Sequence, residues 1–147
     1  MQWFFDEEYV NFEILSNLYK IAPLGDKSPE DLKTAFTNSN YKCFVYEEEL
    51  LIGAGRALAD GVDTSYIGDV AVHPDFKGQG LGSAIVRKLV EFSEGHNKII
   101  LYSSLGKEAF YAKLGFEKMN TGMAIFRNQD QARKWGLVST NEISCSL

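Results

Sequence analysis

Two cysteines, three prolines and two histidines are a small stock of the residues that staple, kink or bind metals in a chain of 147. Cys43 and Cys145 are too few for a disulfide framework or a zinc site. No apolar run approaches the ~20 residues of a membrane-spanning helix. Asp6, Glu7 and Glu8 interrupt any signal-peptide pattern at the start. Positive charge is also scarce: 15 Lys and Arg against 20 Asp and Glu leave a net charge of −5. That balance disfavours a nucleic-acid ligand, which calls for a basic face, and tolerates a small cationic substrate. Repeats and low-complexity tracts are missing. The expectation is a soluble, cytoplasmic protein with no membrane, metal or nucleic-acid partner.

What the chain does hold is core material. Hydrophobic residues make up 45% and aromatics 13%, a globular composition whose length suits one domain. Residues 1–128 are expected to form that domain. Residues 129–147 read as a polar tail, a short helix and then frayed chain, with Trp135 and Leu137 as anchors.

Residues 2–9 read as an edge strand. Asn11 is a plausible cap for a helix over 11–22 that carries Ile14, Leu15, Leu18 and Tyr19 on one stripe. Ser28-Pro29-Glu30-Asp31 supplies a cap, a first-position proline and first-turn acids for a second helix over 29–38. Strands follow at 41–46, 50–58 and 64–72, with Glu47-Glu48-Glu49 as a solvated hairpin tip. Gly53 and Gly55 suggest a bulge or a close backbone approach. From Gly78 the period changes: Leu81, Ile85, Leu89 and Phe92 make a helical stripe to about Glu94, with Gly95 as its stop. A buried strand over 99–102 then implies a right-handed parallel crossover. A short helix at 107–114 and a final hairpin, 116–119 with 123–127, complete the domain.

The stretch from Asp69 to Ser83 carries the chemistry. A β-branched strand breaks at Pro74, crosses a loop with Gly78, Gly80 and Gly82, and enters a helix. Unpaired first-turn amides and the helix dipole favour an anion there, and glycines let a pyrophosphate approach the backbone. A Walker-type loop needs Gly, four residues, then Gly-Lys-Ser/Thr, and no window supplies it. A dinucleotide fingerprint needs G-x-G-x-x-G, and here the third glycine falls one residue early. The strand after the helix also lacks a carboxylate for a ribose.

Lys77-Gly78-Gln79-Gly80-Leu81-Gly82 resembles the [Arg/Gln]-x-x-Gly-x-[Gly/Ala] acetyl-coenzyme A motif of the GCN5-related N-acetyltransferase superfamily, with Lys77 in place of the usual Arg or Gln. Val70-Ala71-Val72-His73-Pro74 matches the strand that leads into it. Phe110-Tyr111-Ala112-Lys113-Leu114-Gly115-Phe116-Glu117 resembles the family's Tyr-x-x-x-Gly-Phe ending, and the element order over 1–127 fits. Gly53-Ala54-Gly55-Arg56-Ala57, Asp60-Gly61 and Asp69-Val70-Ala71-Val72 are more narrowly similar to the serotonin (aralkylamine) N-acetyltransferase-like branch. The resemblance implies an α/β (α+β) fold. Its mixed sheet would have six to seven strands, antiparallel at first, around a parallel strand–helix–strand centre with about four helices.

The resemblance further implies an enzyme that moves acetyl from acetyl-coenzyme A to an amine, with relatives that pair as homodimers. Val70, Ala71 and Val72 would hold the pantetheine arm through their backbone. Lys77, Gly78, Gln79, Gly80, Leu81, Gly82 and Ser83 would cradle the pyrophosphate. Lys77 offers a point charge without the fork of Arg. Ser104, where the family often has Asn, and Lys107 would complete the cofactor contacts. Tyr111 is the candidate acid, since a phenol near pKa 10 and a thiol near 8.5 differ by only about 1.5 units. Asp69 is the candidate base, directly or through water. Strand alternation puts it on the face of Ile67 and Ala71, where burial suits it to take a proton. Tyr19, Leu24, Phe36, Tyr66 and Met123 would line a mostly apolar acceptor pocket. His73, before a proline, and His96, in a loop, are weaker candidates. A non-catalytic acyl-coenzyme A sensor and a protein N-acetyltransferase are the competing readings.

Overall fold

Local chemistry sets the first two helices where the spacing predicts them. Asn11 accepts from the amides of Glu13 (2.9 Å) and Ile14 (3.2 Å) and opens α1, Phe12–Ile21. Ser28 accepts from the amide of Asp31 (3.1 Å) and opens α2, Pro29–Thr37. Both belong to a computed structural model that describes residues 1–139. Cys145 and the end of the expected tail fall in 140–147, outside the described residues. Those described divide into two compact units, Met1–Leu101 and Tyr102 onward.

The first unit is a sheet with helices on both faces. Strands β1 (Gln2–Phe4), β2 (Tyr41–Glu47), β3 (Leu50–Ala59), β4 (Thr64–Val72) and β5 (Lys98–Ile100) lie in the order β1-β2-β3-β4-β5. The first four pair antiparallel and β5 joins β4 in parallel. The crossover between β4 and β5 is α3, Leu81–Phe92. The second unit holds α4 (Glu108–Ala112) and α5 (Gln129–Lys134).

Two corrections concern the sheet. Among the described residues it has five strands, not six to seven, and there are five α-helices, the last of them in the expected tail. The predicted hairpin over 116–127 forms no strand among the described residues. Met123 and Ile125 stand 81% and 95% exposed. A two-stranded ribbon with no third strand or apolar cover is marginal, so alternation in the sequence does not suffice.

Cross-strand partners share a face, so the register sorts the core. Phe44, Ala54 and Ala71 pack with Leu15, Leu18, Tyr19, Leu32 and Phe36 under α1 and α2. Gly53 and Gly55 alternate onto the other face, under α3. A Cβ at Gly53 would lie 2.7 Å from Ile85 Cδ1, and one at Gly55 would lie 2.8 Å from Ile85 Cγ2 and 3.1 Å from Leu89 Cδ1. Both glycines therefore mark a close helix approach. Ile85 is fully buried, and its Cγ2, unlike the terminal Cδ1, cannot swing aside without moving the helix. Gly55→Ala should destabilise the chain by about 1–3 kcal/mol, and Gly53→Ala by less, in urea melts.

Candidate functional site

Beyond Tyr66 the two central strands part. β5 pairs with β4 only through Thr64, Ser65 and Tyr66, so from Ile67 to Val72 one edge of β4 has no strand partner among the described residues. The closed end is pinned by Asp63. It accepts from Lys98 Nζ (2.7 Å) and Asn97 Nδ2 (3.0 Å), and these bonds draw its carboxyl down to about 2. The Asp63 side chain is half-exposed, so the pinning is geometric more than energetic.

A bulge in β4 starts where the pairing with β5 stops. Ala57 opposes Ile67 and Ala54 opposes Ala71, so four residues of β3 span five of β4. Ile67 therefore faces α3 while Ala71 faces α1 and α2. The expectation that Asp69 shares one face with both is corrected: the extra residue breaks the alternation. Asp69 takes up the irregularity at φ 53°, a left-handed value that Asp tolerates better than most residues. Tyr19 Oη donates to its carbonyl (2.5 Å) and Arg56 Nε donates to its Oδ2 (2.7 Å). Lys27 Nζ stands 3.5 Å from Oδ1, and Arg56 also reaches Ser39 Oγ at 3.3 Å. The carboxylate thus lies on the α1/α2 face, one-fifth exposed, between two cations.

After Val72 the ladder ends with the His73 amide donating to the Ile52 carbonyl (2.7 Å). A 3-10 turn, Pro74–Phe76, leads to Gly78 (φ 77°) and Gly80 (φ 81°), both in glycine's left-handed region with nothing within 4 Å of a Cβ position. Gly80 opens α3. Asn11, Ser28 and Asn128 cap α1, α2 and α5 through their side chains, but α3 has no side-chain cap and no acid in its first turn. The amides of Leu81, Gly82 and Ser83 carry the dipole's positive end with no internal acceptor. Lys77 and Gln79 are exposed beside them.

The second unit explains the Tyr-x-x-x-Gly-Phe spacing. α4 ends in a Schellman cap, with the Phe116 amide donating to the Tyr111 carbonyl (3.2 Å) and the Gly115 amide to the Ala112 carbonyl (3.1 Å). Gly115 sits at φ 94°. The Tyr111 ring meets Phe116 (centroids 6.0 Å) and Phe110 (5.0 Å) edge-on. Burial raises its phenol above the ordinary value. Phe110 and Leu114 are half-buried. Ser104 is exposed and its carbonyl accepts from the amide of Lys107, which precedes α4.

Of the pocket candidates, Tyr19 and Phe36 are fully buried. Phe36 packs on Phe44 at 5.2 Å within the core under α1 and α2. Tyr19 meets Asp69 through its hydroxyl and Lys27 through its ring, and burial, then the Asp69 charge, push that phenol far up. Leu24 is on the loop between α1 and α2 and partly exposed, Tyr66 is half-buried where the strands part, and Met123 belongs to the second unit. His96 accepts from the Gly61 amide at Nε2 and meets the Ser93 carbonyl at Nδ1, and His73 caps the 3-10 turn. Both have structural work. Arg56 and Lys27 were not singled out for the site, although Arg56 is the only charge in Leu50–Ala59 and so visible.

Residues 5–116 match the model of the acetyltransferase (GNAT) family. The chain is 32% identical over 120 residues to an uncharacterized N-acetyltransferase, ycf52, of Gracilaria tenuistipitata, covering 74% of this chain and 66% of that protein. It is 36% identical over 107 residues to GCN5-related N-acetyltransferase 2, chloroplastic, of Arabidopsis thaliana, covering 70% and 40%. The chain thus spans less than two thirds of both relatives. A probable acetyltransferase of Staphylococcus aureus superimposes with a TM-score of 0.76 at 24% identity, over 85% of this chain and 98% of that one, and shares the fold. Among the described residues no helix is long and apolar enough to cross a membrane.

Proposed function

Because the chain belongs to the acetyltransferase (GNAT) family, we propose that it moves the acetyl group of acetyl-coenzyme A to the primary amine of a small molecule. The aralkylamine class is favoured by the Gly53–Ala57 and Asp69–Val72 sequences. One observation carries the reading: an uncapped α3 N-terminus behind two open left-handed glycines continues directly from a strand edge that has lost its partner. The donor set suits a ligand that has a pyrophosphate at one end and an amide-bearing arm at the other.

In this reading the amides from Gly78 to Ser83, with Lys77 and Gln79, hold the phosphates, and the backbone of Val70, Ala71 and Val72 holds the arm. Ser104 and Lys107 add polar contacts. Bound acetyl-coenzyme A supplies an activated acetyl group and a thiolate leaving group. The acceptor nitrogen, once its ammonium form has released a proton to solvent, forms the amide bond as the carbon–sulfur bond breaks. Its proton leaves to Asp69 or to water, and Tyr111 returns one to the thiolate. The raised phenol keeps that proton through neutral pH, as an acid must. Leu24 and Tyr66 would line the acceptor's approach. The relative named chloroplastic makes an organellar location as open to test as the cytoplasm.

Thiol release from acetyl-coenzyme A against a panel of aralkylamines, polyamines and peptides tests this. Acceleration by the small amines is the expected result. Acceleration by peptides alone would favour a protein N-acetyltransferase. Binding of acetyl-coenzyme A with no acceleration by any amine would leave a sensor module.

A further inference from the structure

The two cations on Asp69 are held differently. Arg56 Nε is at 2.7 Å from Oδ2, a charge-assisted hydrogen bond, and Arg56 is braced by Ser39. Lys27 Nζ is at 3.5 Å from Oδ1, a looser pairing, and its side chain is 31% exposed. The same ammonium lies 5.8 Å from the centroid of the Tyr19 ring. A carboxylate oxygen beside an aromatic ring is a receptor for an ammonium group.

We propose that Asp69 Oδ1 and the Tyr19 ring form the ammonium subsite of the acceptor, and that Lys27 fills it as an internal competitor. This deepens the acetyl-transfer reading and rests on it. The bulge does not need Lys27: the Tyr19 hydroxyl holds the Asp69 carbonyl and Arg56 holds Oδ2. The loop that carries Lys27 does not need the pairing either. Ser16 Oγ donates to the Lys27 carbonyl (2.5 Å) and the Leu24 amide to the Tyr19 carbonyl (2.8 Å), so the side chain can swing out with its backbone in place. An acceptor that arrives as a primary ammonium replaces one positive charge with another, and Asp69 and Arg56 see no net change. A neutral or anionic acceptor would leave Oδ1 to Lys27. The subsite therefore selects cationic primary amines, and Lys27 sets how tightly they bind.

The test is calorimetric titration of phenethylammonium, near neutral pH, into wild type, Lys27→Met, Lys27→Arg and Lys27→Met/Asp69→Asn, with melting curves to show each is folded. Removing a competitor that holds the subsite about nine-tenths of the time tightens binding about tenfold. Lys27→Met should show that gain, Lys27→Arg should stay near wild type, and the added Asp69→Asn should abolish the gain. Lys27→Gln replaces Lys27→Met if the latter unfolds. Affinity that is unchanged or weaker in the neutral variants overturns the proposal. Acetyl-coenzyme A is titrated into the same proteins. If it binds and the ammonium affinity does not respond, the subsite alone fails; if wild type does not bind it, the acetyl-transfer reading fails.

Discussion

Replacing Tyr111 by Phe is expected to lower kcat for acetyl transfer by about 10²–10³-fold while acetyl-coenzyme A affinity and melting temperature stay near wild type. The substitution is clean because everything structural at this position is backbone or ring. The Schellman bonds run to the Tyr111 and Ala112 carbonyls, and the edge-on contacts with Phe110 and Phe116 use ring carbons. Only the hydroxyl is lost. The pH profile separates an acid from a bystander. Burial raises the phenol, so its protonated form persists beyond the ordinary Tyr range of about 10, and the wild-type rate should fall only on that far alkaline side. The Phe variant should lack that limb. If it turns over like wild type from about pH 6 to 10, Tyr111 is a helix stop and no more. Tyr111→Ala, which also removes the cap contact, should melt lower than Tyr111→Phe.

The parts of this fold legible in the sequence are those whose causes are local. Asn11 and Ser28 cap their helices through amides two or three residues away, and a reader of the chain can see both ends of each bond. Gly53 and Gly55 announce a close approach without naming the helix that makes it. The predicted hairpin over 116–127 failed because alternation records a period and not a partner, and Met123 and Ile125 find no apolar cover.

The site divides along the same line. Gly78, Gly80 and the start of α3 are consecutive features that the spacing points to, and the Tyr-x-x-x-Gly-Phe cap, equally local, is legible through the family resemblance. The surroundings of Asp69 are not. Counting by twos along β4 placed it with both Ile67 and Ala71, and the residue that falsifies the count shows only in pairing with β3. Its left-handed backbone is stabilised by Tyr19, 50 positions away, and by Arg56, 13 positions away. Asp tolerates φ > 0 at a cost of about 1–2 kcal/mol, and such strain persists where several neighbours hold it. Arg56, a charge inside an apolar strand, is the one clue in the sequence to a partly buried carboxylate nearby.

Gly80→Ala should weaken acetyl-coenzyme A binding by about 10²-fold, and Gly61→Ala should leave it unchanged. The two glycines form a matched pair. Gly80 lies at φ 81° and Gly61 at φ 86°, and neither has an atom within 4 Å of a Cβ position. Each alanine therefore costs about 1–2 kcal/mol of left-handed strain and no protein clash, so both variants should lose similar stability. What differs is what the position faces. Gly61 sits in the turn before β4, whereas Gly80 is the residue from which the free first-turn amides of α3 project. A Cβ there, or a loop that relaxes to relieve the strain, takes one or two amides off a phosphate, at about 1.5–3 kcal/mol for each bond to a charged group. Calorimetric titration of acetyl-coenzyme A into both variants decides it. Equal binding by the two, with equal loss of stability, would mean that the glycines serve only the turn and that the anion lies elsewhere.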